Sequence, residues 1–193
     1  MEYSISKTKR NMIILCSSFL ILYFLVLGFF YFFNGPTKLE TLQIIIREIL
    51  YIIPYGYLML IFIEYFRYYQ LKVLQTTTIT ILIFEIINRG SQFTNLFNYS
   101  LPRFLLPAIT AIWTIAAIIW IIFLFIPKMK DYPAMISIRR YAMGLILIFF
   151  IGLSIPFLVK PDNIFAALQL LCIICAIPYI FTIDFALKLQ LKE

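Results

Sequence analysis

The side chains of widest chemical reach in this chain lie inside apolar runs. Gln75, Thr78, Leu82, Glu85, Arg89 and Gln92 follow one another at steps of three and four, the spacing of one helix face. A charged side chain at the centre of a membrane helix costs about 2.5–3.5 kcal/mol on insertion scales, so Glu85 is a functional candidate by its position alone. If the run begins after Lys72 and needs about 20 residues, Glu85 lies roughly 10 Å from its outer end. Such a stripe does one of two jobs. It forms a packing seam in which Thr and Gln bond neighbouring helices, or it lines a path for a substrate or ion. The sequence favours the seam, because polar glue of this kind is common.

Arg47 and Glu48 open a second run in the same leaflet. Glu40, Gln43, Arg47, Tyr51 and Tyr55 share a helix face, and a short connection makes this run and the Glu85 run antiparallel neighbours. An Arg47–Glu85 pair, or an Arg89–Glu85 pair four residues apart, would satisfy the buried carboxylate. The candidate intramembrane site is therefore Arg47, Glu48, Gln75, Thr78, Glu85 and Arg89. Other charges sit at the ends of runs: Glu64 three residues before Arg67, and Asp184 four before Lys188. Those spacings read as interfacial pairs.

Cys172-Ile-Ile-Cys175 has redox spacing, but both cysteines fall mid-run among apolar neighbours that disfavour thiolate. The chain lacks a second, exposed pair to feed electrons to it, so two small apolar residues on a helix face is the better reading. There is no histidine. That excludes Ser–His hydrolysis, Cys–His transpeptidation, His-dependent acyl transfer and bis-histidine haem ligation. It also leaves any metal site short of ligands. Neither a Gly-x-Gly-Asp protease motif nor a phosphotransferase Asp array nor a Walker loop occurs. No catalytic residue, metal or cofactor is expected.

The elements that must position these groups are six apolar runs, at about 12–33, 43–66, 73–89, 104–126, 141–159 and 164–185. Of the 193 residues 63% are hydrophobic and 13% charged, against about half and a quarter in soluble domains. The fold class expected is all-α: one integral-membrane domain over residues 1–193, a bundle of about six transmembrane helices. The first run is longer than the 7–15-residue core of a signal peptide and ends in Asn34-Gly35-Pro36, so it reads as a retained span. Pro54 is expected to kink the second. The third is the least hydrophobic, and a polar loop over Gly90–Pro102 follows it.

Orientation follows from Lys and Arg in the short loops. One side holds Lys7, Lys9, Arg10, Arg67, Lys72, Lys128, Lys130, Arg139, Arg140, Lys188 and Lys192. The other holds Lys38, Arg89, Arg103 and Lys160. Eleven against four places both termini in the cytoplasm. The loop from Lys128 to Arg140 is the longest basic one, and Lys128, Lys130, Arg139 and Arg140 are candidates for docking lipid headgroups or a partner. The net charge of +7 is thereby explained by anchoring, not by nucleic acid, for which no basic stripe with interleaved aromatics exists. The isoleucine-rich, alanine-poor composition fits an AT-rich genome, that of a low-GC bacterium or an organelle. The expected function is a non-enzymatic subunit of the bacterial inner membrane, acting through other membrane proteins or through self-association as a pore. The alternative is a transporter component with an outward pocket near Glu85 and Arg47.

Overall fold

The computed structural model describes residues 3–34, 41–96, 104–126, 132, 134–160 and 163–192. Among them the chain is almost entirely helical, an all-α architecture with one short terminal pairing. In chain order the elements are β1 (Ser4–Ile5), α1 (Lys7–Asn34), α2 (Thr41–Tyr68), α3 (Lys72–Leu96), α4 (Leu105–Phe125), α5 (Met135–Leu158), α6 (Ile164–Ile174), α7 (Ile177–Lys188) and β2 (Gln190–Leu191). Two units divide them, one over Met1–Lys38 with Met129–Glu193 and one over Leu39–Lys128.

The first unit holds α1, α5, α6 and α7. Two helices stand where one apolar run predicts one span, because Pro178 falls in the first turn of α7. Proline has no N–H to give to the carbonyl of Ile174, and its ring crowds that carbonyl. The ladder stops at Cys175, and the chain restarts after a tight turn in which Ala176 N donates to Ile173 O at 3.1 Å. Pro54 and Pro156 behave differently and remain inside α2 and α5.

The restart makes α7 the hub of this unit. Tyr179 stacks on Phe24 of α1 at 5.7 Å and meets Tyr141 of α5 edge-on at 5.8 Å. One turn on, buried Thr182 donates to Ser17 Oγ of α1 at 2.6 Å, and Ser17 donates to Ile13 O. Small residues allow the close approaches. A Cβ on Gly28 of α1 would stand 2.6 Å from Ile173 Cγ1 and 3.3 Å from Gln169 O of α6, and one on Gly144 of α5 would stand 3.0 Å from Pro178 Cγ.

The two ends of the chain lie together in this unit. β1 and β2 pair in parallel, Ser4 opposite Gln190 and Ile5 opposite Leu191. Lys192 N adds a bond of 2.9 Å to Ile5 O, and Ile5 is buried.

The second unit is α2, α3 and α4, with α3 packed against both others. The turn between α2 and α3 is a Schellman closure. Leu71 N donates to Phe66 O and Gln70 N to Arg67 O, while Gln70 takes φ of 56°. α2 buries Glu48, Tyr51, Tyr55, Leu58, Phe62, Tyr65 and Phe66, a stripe at helical spacing.

Among the described residues five helical stretches are long and apolar enough to cross a membrane: Lys7–Phe29, Gln43–Tyr68, Pro107–Phe125, Met135–Leu158 and Ala166–Lys188, the last made of α6 and α7 in succession. Most of their surface is apolar and faces outward, as the exposure of Leu15, Ile53, Ile115, Phe150 and Leu170 illustrates. This is a multi-pass membrane protein. α3 is not among the five, since its polar residues dilute it.

Three expected boundaries move. α3 continues through Gly90 to Leu96, so the first seven residues of the loop expected over Gly90–Pro102 are helical. α5 begins at Met135, six residues before its apolar run, which makes Arg139 and Arg140 helical. α1 likewise starts at Lys7. In each case the helix outruns the hydrophobic segment, because polar residues at interfacial depth sustain backbone hydrogen bonding as well as apolar ones do.

The Gly28 contact generates a prediction. Gly28→Val should force α1 from α6 and cost about 1–3 kcal/mol, the usual range for overpacking. Gly90→Val, where a Cβ meets nothing within 4 Å, should leave stability near wild type. Denaturant unfolding in micelles measures both. Equal losses would mean that α1 and α6 do not approach at Gly28.

Candidate functional site

The expected intramembrane site assembles on α2 and α3, but its centre is Glu48. That carboxylate is 1% exposed, the most buried charged group of the site. Arg47 covers one oxygen, with Nε at 2.9 Å and Nη2 at 2.6 Å from Oε1. Arg89 of α3 covers the other, with Nη1 at 2.9 Å from Oε2. Arg89 also donates from Nε to Glu85 Oε1 at 3.0 Å. Its guanidinium lies 4.3 Å from the centre of the Tyr51 ring, and Tyr51 stacks on Tyr55. Two cations and two anions close on one another in a single chain of ion pairs.

Glu85 therefore pairs with Arg89. The expected Arg47–Glu85 pair is replaced by Arg47–Glu48, for a geometric reason. The buried face of α2 runs Glu48, Tyr51, Tyr55, not Arg47, Tyr51, Tyr55. Arg47 lies about 100° round the helix from Glu48, and its long stem must fold back to reach the buried carboxylate. The side chains of Arg47 and Arg89 are 24% and 28% exposed, which leaves the guanidiniums on the rim and the carboxylates beneath. Glu48 was in the expected site, but its role as the bridge between helices was missed. The signal was available in the aromatic spacing Glu48–Tyr51–Tyr55, which continues into the apolar stripe of α2.

The remaining stripe residues bond locally. Thr78 is fully buried and donates to Leu74 O at 2.6 Å, and Thr77 donates to Val73 O at 2.8 Å. The threonines thus satisfy their hydroxyls on their own helix, not across helices as the seam reading expected. Burial falls on Leu74, Thr78, Ile81 and Glu85, while Gln75 is only half-buried. Leu82 lies beside Gly56 of α2. The side chain of Gln92 is outside the described set.

A second polar cluster, unforeseen in its geometry, joins α5 to α7. Lys188 Nζ donates to Asp184 Oδ2 at 2.6 Å, the pair its spacing predicts. Ser137 of α5 donates to the same oxygen at 2.6 Å and accepts from Lys188 at 3.2 Å. Arg140 Nη1 stands 3.9 Å from it. Serine and lysine at this distance have the atoms of a nucleophile and its base. Here Ser137 is wholly buried and gives its proton to Asp184, so the hydroxyl has neither substrate access nor the lysine's lone pair. The cluster fastens two helices. Only sequence positions 47 residues apart, brought together by the fold, could reveal it.

Of the four candidate docking residues, Lys128 and Lys130 lie outside the described residues. Arg139 is buried at 6% exposure, which corrects its expected place on a loop surface. Arg140 is exposed, with the Asp184 contact on its inner side. Cys16, Cys172 and Cys175 are free and half-buried. Among the described residues no group of three or more His, Cys, Asp or Glu could hold a metal ion.

The network predicts a ranking of couplings. Glu48→Ala should destabilise more than Glu85→Ala, because Glu48 receives two guanidiniums and Glu85 one. Breaking a buried pair costs about 3–5 kcal/mol, and the half-exposed arginines should rehydrate and keep the loss at or below the low end. In double-mutant cycles Glu48 with Arg89 should couple by about 0.5–3 kcal/mol, and more strongly than Glu85 with Arg47. The reverse order would reject the geometry.

Compared with protein-family models, curated proteins and solved structures, the chain matches none of them.

Proposed function

We propose that this chain is a non-enzymatic integral-membrane subunit that works by associating with other membrane proteins or with copies of itself. The carrying observation is the Arg47–Glu48–Arg89–Glu85 network of ion pairs. Each carboxylate of that network is held by arginine, so neither is poised to take a proton from a substrate or to strip water from a cation. The sequence has no histidine to supply a general base in its place. What remains is a protein whose outward surface is apolar helix, suited to lipid and to other helices.

A second reading has its own support. The exposed rim of Arg47 and Arg89 would let a ligand reach the network from the outer leaflet, as in a transporter component with an outward pocket near Glu85. Glu85→Gln separates the two. In a structural network the amide keeps shape and part of the bonding, and the variant should remain functional. In a transport path it should abolish function while yield and thermal stability persist.

The membrane we propose is the bacterial inner membrane, with both termini cytoplasmic and α3 crossing as a sixth span. At 25 residues α3 is about 37 Å long, enough to cross, and its charges turn inward to α2. Since Arg89 belongs to the network between α2 and α3, the outer loops keep only Lys38, Arg103 and Lys160, and the positive bias sharpens. The pairing of β1 with β2 keeps the two ends side by side, which an even number of crossings requires.

Two outcomes are expected. Reporter fusions after residue 193 and at Asn95 should report opposite faces of the membrane, and the same face for both would remove α3 or α4 from the crossing set. Cross-linking in native membranes, followed by mass spectrometry, should recover one dominant membrane-protein partner or a discrete homo-oligomer. A chain that remains monomeric and uncaptured at native expression would refute the subunit reading.

A further inference from the structure

The end of the first unit, where α1 and α5 begin and α7 finishes, concentrates positive charge. Among the described residues of that unit the only acid is Asp184, and Lys188 and Arg140 already engage it. Over the described residues 3–10, 134–140 and 184–192 the unit carries seven lysines and arginines against one acid. The β1–β2 pairing holds the two terminal segments to one another at this end. α5 starts without a capping side chain and without an acid in its first turn. Its backbone dipole therefore adds to the positive field.

Arg10 is only partly buried at this end, so part of its guanidinium stays open to a ligand. Arg10, in the first turns of α1, has its Nε buried with no hydrogen-bond partner among the described residues. A buried guanidinium N–H without an acceptor is costly. Immediately along the same helices the surface turns apolar and exposed, at Met12 and Leu15 of α1, Met143 of α5 and Leu187 of α7. A cationic end with an apolar flank fits an amphiphile: a phosphate for the arginines and acyl chains for the exposed side chains.

We infer that this end of the first unit binds an anionic glycerophospholipid, with Arg10 of α1 and Arg140 of α5 each offering a guanidinium to the headgroup region. The site rests on the membrane reading but not on any protein partner. Both arginines are suited to it, because a planar guanidinium engages phosphate through two parallel bonds.

The test uses the purified full chain in a neutral detergent. Fluorescent short-chain phosphatidylglycerol, phosphatidylcholine and inorganic phosphate are the probes. Phosphatidylglycerol should bind about tenfold or more tightly than phosphatidylcholine, and Arg10→Gln with Arg140→Gln should erase that preference. Arg10→Lys with Arg140→Lys should keep the charge and part of the preference. Arg67→Gln, exposed on α2 of the other unit, should change nothing. If the double variant fails to fold, Arg140→Gln alone, at an exposed position, should still weaken the lipid about threefold or more. Equal binding of the two lipids, or a preference that survives loss of both arginines, would overturn the inference. So would displacement of phosphatidylglycerol by millimolar inorganic phosphate, which would mark a soluble-anion site. Absence of a captured protein partner would sink the subunit reading and leave this result intact.

Discussion

A carboxylate removed from water must be matched on the spot, and Glu48 is where this protein meets that constraint. Both of its oxygens are occupied by guanidinium from different helices. Arg89 cannot serve Glu48 and Glu85 together unless α3 lies along α2 at one register, and Tyr51 must stand beneath it to receive the planar cation. A slip of one turn would leave a buried charge stranded, at a cost far above that of moving a few apolar contacts. Apolar helices in lipid lack a strong hydrophobic preference for one another, so register has to come from such directional groups.

The first unit meets the same need with weaker but more numerous ties. Ser17 and Thr182 join α1 to α7, Ser137 and Asp184 join α5 to α7, and Tyr179 touches rings on both neighbours. All of these converge on α7, the helix that Pro178 creates by ending α6. A proline without an N–H thus does more than interrupt a span. It gives the second half of that span its own start, from which three side-chain contacts are aimed.

Charge elsewhere is arranged by depth. The buried networks are neutral or nearly so, whereas unbalanced lysine and arginine collect near helix ends, as at Lys7, Lys9 and Arg140. Arg139 departs from this pattern by being buried at the start of α5, next to Arg140, which is exposed. The pair straddles the boundary between core and interface, and it marks the end of the unit that the terminal strands close.

Composition and apolar run lengths were sufficient to determine a helical membrane protein, because no other element satisfies its own backbone in hydrocarbon. Helical periodicity also located Glu85, Arg89 and the pairing of Asp184 with Lys188, since partners three or four residues apart are set by the helix itself. Tertiary structure alone decided that Glu48 bridges Arg47 and Arg89, that Ser137 finds Asp184 and that Ser17 finds Thr182. Each of these contacts depends on the rotation of one helix against another, which a span of mostly interchangeable Ile, Leu and Phe does not specify. Helix ends escaped the sequence for a related reason. The apolar run reports where hydrocarbon begins, while the hydrogen-bond ladder continues into polar residues at the interface. The break at Pro178 lay between these cases: the residue was plain to see, but Pro54 and Pro156 stay within helices, and only the packing around α7 distinguishes it from them.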